Sequence, residues 1–97
     1  MMQQKEILDK LGAYKREKQE QFALEGFGVF GSVAKDDHSD HSDVDVFVKL
    51  SKPDIYILGH IKSDLEEIFG LNVDVVRVRD QMNEFLKKQI TGGGIYV

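Results

Sequence analysis

Apolar residues recur along this chain at two alternating periods, and the switches between them mark out its elements. Over residues 3–22, Ile7, Leu8, Leu11, Tyr14 and Phe22 return at helical spacing with charged and amide residues between them. That pattern predicts an amphipathic helix with one stripe to bury. Gly12 falls inside it and costs the helix about 1 kcal/mol relative to alanine. Phe27-Gly28-Val29-Phe30 is short, aromatic and β-branched between Gly26 and Gly31, which predicts a strand ending in a tight turn. Ser32 to Lys35 is expected to open a short helix, and the wholly polar run from Asp36 to Ser42 is expected to be a loop. Residues 43–50 alternate strictly: Val44, Val46, Val48 and Leu50 on one face, Asp43, Asp45, Phe47 and Lys49 on the other. The valine face is the one to bury under helices, leaving both aspartates on the more open face.

Ser51-Lys52-Pro53-Asp54 reads as a helix start with Ser51 as the cap, an early proline and an acid in the first turn. The helix that follows carries Leu58, Ile61, Leu65, Ile68 and Phe69 on one side and stops near Gly70. A strand is predicted over residues 72–78, with Val73, Val75, Val76 and Val78. Asp80 then caps a helix burying Met82, Phe85, Leu86 and Ile90, which the Thr91-Gly92-Gly93-Gly94 run breaks. Ile95-Tyr96-Val97 leaves room for a short terminal strand. The order α-β-α-β-α-β-α predicts a layered α/β domain, expected to be one unit over residues 1–97.

Composition narrows what such a domain does. The 97 residues are 41% hydrophobic and 31% charged, enough for one core and a soluble surface. The net charge of -4 gives no general attraction to nucleic acid, so direct nucleic-acid binding is not expected. The absence of cysteine excludes disulfides, thiol nucleophiles and cysteine-ligated zinc. Met1 to Glu6 lacks the apolar run of a signal peptide, and no stretch is long and apolar enough to span a membrane. A cytosolic location is the expectation, where nucleotides and magnesium are plentiful.

Aspartate is disfavoured within strands, yet Asp43, Asp45 and Asp74 stand in or at the start of valine-rich ones. Local rules are broken in this way mostly at functional sites. Asp43 and Asp45 are two residues apart and leave one sheet face about 7 Å apart along the backbone. Like charges so close repel unless a cation sits between them. Two magnesium ions about 3.5–4 Å apart would resolve that repulsion and serve phosphoryl chemistry. Taken singly, each aspartate is more simply a strand-entrance cap, a solvated side chain or an edge residue. The combination with Gly31-Ser32 is what points to a site. Glycine lets the backbone approach an anion, and a helix opening just after it aims free amides at phosphate oxygens, with the Ser32 hydroxyl adding a bond. His38 and His41, with Asp37 and Asp40, do not have zinc spacing and read as a solvated loop. His60 reads as a surface residue and Tyr96 as packing for the terminal strand.

Gly31-Ser32, ten residues, then Asp43-x-Asp45, with Asp74 in a later Val-Asp-Val-Val strand, resembles the minimal nucleotidyltransferases of the DNA polymerase β superfamily. The likeness runs from Phe27 to Val97. It implies the nucleotidyltransferase fold, a small mixed sheet flanked by helices. It also implies that Asp43, Asp45 and Asp74 bind two magnesium ions, with Asp74 helping to activate the attacking hydroxyl. Gly31 and Ser32 would bind the β- and γ-phosphates of ATP or another nucleoside triphosphate, with Lys35 beside them. Members often continue the turn as Gly-Ser-x-Ala-Arg-Gly, whereas this chain has Lys35 and Asp36 at the last two positions. Lysine neutralises phosphate as a point charge without the bidentate contact of arginine. The implied reaction moves a nucleoside monophosphate, AMP from ATP, to a hydroxyl and releases pyrophosphate. Larger relatives carry an acceptor-binding domain that 97 residues have no room for, so the acceptor comes from elsewhere. The resemblance supplies a candidate: a small helical HEPN protein, a ribonuclease toxin whose tyrosine receives AMP from its antitoxin. The rival expectation, favoured by Lys35 and Asp36, is a binding protein that neutralises such a partner by contact. A third is modification of a small molecule such as an aminoglycoside, which needs a partner or second copy to build the acceptor pocket.

Overall fold

The strictest alternation in the sequence becomes an interior strand. The computed structural model describes residues 2–39 and 42–97. Its elements are α1 (Gln4–Lys18), β1 (Leu24–Phe30), β2 (Val44–Leu50), α2 (Ile55–Phe69), β3 (Val73–Arg77), α3 (Glu84–Gly93) and β4 (Ile95–Tyr96). The sheet runs β3-β2-β1-β4. It is mixed: β1 pairs antiparallel with β2 and β4, while β2 and β3 run parallel. The parallel pair is joined by the α2 crossover, as parallel strands require.

One face of the sheet carries the larger core. Val44, Val46, Val48, Phe27, Val29 and Val73 pack there with Ile7, Leu11 and Tyr14 of α1 and Ile61, Leu65 and Phe69 of α2. Each such side chain taken out of water contributes about 1.5–3 kcal/mol. The Tyr14 hydroxyl donates to Asp64 Oδ2 at 2.7 Å, tying α1 to α2.

The opposite face is less open than the alternation predicts. Phe47 is 1% exposed there, clustered with Phe30 and Ile90 under α3, and half-buried Val76, Val78, Met82 and Leu86 complete the cluster. Room for the Phe47 ring comes from Gly28, its cross-strand partner, where a Cβ would lie 2.5 Å from the ring. Tyr96 of β4 meets the same ring edge-on at 4.8 Å, the packing role expected of it.

Several expected boundaries move. The expected helix at Ser32 to Lys35 is a turn over residues 31–36 instead, so the order is α-β-β-α-β-α-β. It closes through Lys35 N–H to Gly31 O (3.1 Å) and Asp36 N–H to Val33 O (3.0 Å), and Asp36 at φ 58 turns the chain out of the helical direction. Asp54, not Ser51, caps α2 by accepting from Tyr56 N–H at 2.9 Å, while Ser51 Oγ donates to Glu25 Oε1. Asn83, not Asp80, caps α3, accepting from Phe85 and Leu86 N–H. That later start turns Phe85 outward, 68% exposed, and Ile68 on α2 is also 40% exposed. Among the described residues no helix is long and apolar enough to cross a membrane.

Candidate functional site

Strand pairing brings the acidic residues together. In the antiparallel β1–β2 register Phe30 faces Asp45, and in the parallel β2–β3 register Asp45 faces Asp74. Residues opposed across strands share a sheet face, and Asp43 lies two positions before Asp45, at the mouth of β2. The carboxylates therefore gather on the α3 side, at one end of the sheet. Asp43 and Asp74 are exposed, and Asp45 is half-buried between them. Burial pushes the Asp45 carboxyl above its usual range, and the charges of Asp74 and then Asp43 push it further.

Gly31 completes this corner. It follows Phe30 at φ 72, and a Cβ there would lie 2.5 Å from Asp45 Oδ2. Only glycine takes that backbone without cost and leaves the carboxylate its space. The turn that Gly31 opens uses the N–H groups of Lys35, Asp36 and Asp37 internally. Those of Ser32, Val33 and Ala34 donate to no backbone carbonyl among the described residues. Gln4 Nε2 holds the turn from outside, donating to Val33 O at 2.9 Å. Asp36 sits in the left-handed region at φ 58, which explains why glycine is usual at this position in the resembling pattern.

The donor set fits a hard divalent cation. Carboxylate oxygens are what magnesium takes, and the like-charge crowding at Asp45 is what a cation relieves. Among the described residues, however, no group of three or more His, Cys, Asp or Glu side chains converges on a single metal position. The three carboxylates are neighbours rather than a closed cage.

Of the residues singled out in the sequence, Gly31, Ser32, Asp43, Asp45 and Asp74 meet at this end of the sheet. Lys35 lies beside Gly31 on a cavity of about 250 Å³. His38 Nε2 bonds the Met2 carbonyl oxygen at 2.7 Å, tying the loop to the N-terminal segment. Asp40 and His41 lie outside the described residues. His60 is exposed, its ring tilted against that of Phe22 with centroids 6.2 Å apart. Sequence reasoning missed Gln4 and the α3 wall of the cavity, formed by Lys88, Gln89, Gly92 and Gly93. The three successive glycines were the available signal for the second, but they read as a helix stop.

The family described as "Polymerase beta, Nucleotidyltransferase" matches residues 14–97. The protein adenylyltransferase MntA of Thermococcus cleftensis is 31% identical over 98 residues, covering 100% of this chain and 98% of its own. A solved structure described provisionally as a minimal nucleotidyltransferase superposes with a TM-score of 0.77 at 23% identity, covering 97% of this chain and 95% of its own. A second, the tri-AMPylated Shewanella oneidensis HEPN toxin in complex with its MNT antitoxin, gives a TM-score of 0.70 at 20% identity over 96% of this chain and 70% of that one. At those identities the two structures show the fold. A match over most of the chain, together with the full-length relative, shows the family: this chain belongs to the polymerase β-type nucleotidyltransferases.

Proposed function

We propose that this chain is one minimal nucleotidyltransferase domain that transfers AMP from ATP to a hydroxyl on a helical HEPN partner, acting as the antitoxin of a toxin–antitoxin pair. The observation that carries the reading is Asp45 in register with Asp74 and packed against Gly31. The relatives support the acceptor: one is named a protein adenylyltransferase, and a structural neighbour is an MNT antitoxin with an AMPylated HEPN toxin. The cytosol, with its ATP and magnesium, is the proposed compartment.

In this reading the Gly31-Ser32 turn holds the β- and γ-phosphates through its free amides and the serine hydroxyl. Asp43, Asp45 and Asp74 would hold two magnesium ions, which supply charge neutralisation on the attacking and leaving oxygens when bound. Asp74, exposed at the sheet margin, takes the proton of the incoming hydroxyl. The acceptor oxygen forms its bond to the α-phosphorus, the bond from that phosphorus to the bridging oxygen breaks, and pyrophosphate leaves with that oxygen. Lys35 offsets charge on the leaving group as a point charge. Most of the acceleration comes from positioning and electrostatics rather than covalent chemistry.

A contact-only antitoxin is the second reading. The departures at Lys35 and Asp36 favour it. Incubating the protein with labelled ATP, magnesium and the product of the neighbouring gene separates the two. Label on the partner, lost in the Asp43→Asn/Asp45→Asn double variant with circular dichroism unchanged, is the expected outcome. Full transfer by the double variant refutes the site, and a tight complex without label refutes the enzyme reading.

A further inference from the structure

Glycine is the poorest helix former after proline, yet α3 carries two of them in its last turn, Gly92 and Gly93. The fold does not require either. A Cβ at Gly92 or at Gly93 would meet nothing within 4 Å, and neither has a positive φ. Gly94 is different, because a Cβ there would lie 2.5 Å from Ile90 O and 3.1 Å from the Phe47 ring. What Gly92 and Gly93 share is a place on the cavity of about 250 Å³, with Lys88 and Gln89 on the same wall and Gly31 and Lys35 on the other. Among the described residues no carboxylate lines this cavity, although acidic residues outnumber basic ones 17 to 13 in the chain. The ion pairs among the described residues engage Lys10, Lys18 and Lys62, leaving the ammonium groups of Lys35 and Lys88 unneutralised across the gap. A cavity whose described lining holds two unneutralised lysines and a helix surface stripped of side chains suits a bulky polyanion.

We propose that this cavity takes the β,γ-phosphate end of the nucleoside triphosphate, with Lys88 of α3 binding it opposite Lys35 and with Gly92 and Gly93 leaving the space it fills. The assignment rests on the nucleotide-transfer reading above. It gives the turn a second cationic wall, so that Lys35 and Lys88 together stand in for the bidentate arginine the chain lacks.

The test is the affinity of the full chain for ATP and for AMP in magnesium, by calorimetry, with melting temperature measured alongside. Lys88→Ala is expected to weaken ATP about tenfold, the size of one charged hydrogen bond, while AMP binding stays unchanged and Lys88→Arg restores ATP. Gly92→Ala/Gly93→Ala is expected to raise the melting temperature and weaken ATP together, opposite shifts that a purely structural role would not produce. If the wild type does not bind ATP, the transfer reading falls and this assignment with it. If the wild type binds ATP and Lys88→Ala binds it equally, or loses ATP and AMP alike, this assignment alone is overturned.

Discussion

Replacing Asp45 by asparagine should make the metal-free protein more stable at neutral pH while ending transfer. The Asp45 carboxyl is raised by burial first and then by Asp74 and Asp43. A carboxyl raised in the fold binds its proton more tightly there than in the unfolded chain. Its contribution to stability is therefore complete below the ordinary carboxylate range and is lost as pH rises through the raised value. Above that window the wild type folds against a charge it would rather not hold. Asp45 and Asp74 are paired on adjacent strands, whose backbones are spaced about 4.8 Å, taken as the scale of the separation of their charges. Unit charges at that separation repel by about 1 kcal/mol in water and about 3 kcal/mol at an effective dielectric of 20. Exposure of Asp74 places the pair near the lower figure. One kcal/mol in a domain of this size is a rise of about 4–8 °C in melting temperature. Thermal melts in chelator at about pH 7 and again below the carboxylate range supply the assay. The gain should vanish in acid. Magnesium at tenfold over its Kd should stabilise the wild type by about 1.4 kcal/mol and the variant far less. An Asp45→Asn protein no more stable than wild type at neutral pH, or equally favoured at both pH values, would refute the electrostatic account of this corner.

Two further substitutions probe the turn. Gly31→Ala places a methyl 2.5 Å from Asp45 Oδ2 on a backbone at φ 72, so a loss of about 1–2 kcal/mol in denaturant melts is expected, with transfer down at least tenfold. Wild-type stability and rate in this variant would show that the corner tolerates a side chain. Asp36→Gly should hold or raise the melting temperature, whereas Asp36→Val should lower it by several degrees, because a β-branched residue is strained at φ 58. Equal melting temperatures for the two would rule out backbone strain as the reason glycine is usual at this position.

Much of the corner was legible because its signals are local. A strand alternates with period two, so Asp43 and Asp45 could be placed on one face from spacing alone, and a glycine between a strand and a polar turn announces a change of backbone direction. The burial of Phe47 was not legible from its own strand, because α3, whose Ile90 covers it, lies 43 positions further on. The helix expected after Gly31 failed for a similar reason. Its composition suits a helix, but Asp36 in the left-handed region and the tether from Gln4 settle the segment as a turn.

The chain's own order of residues determined the family, the Gly31 turn, the placement of Asp43 and Asp45 on one face and the three longer strands, because each follows from periodicity or from a motif at fixed spacing. Tertiary structure alone decided that Asp45 faces Asp74, since that register is set by how α2 crosses between two parallel strands. It also decided that α3 closes over Phe47 and lines the cavity beside Gly31. Pairings between residues distant in sequence depend on how whole elements bury their apolar faces, and no local pattern carries that information.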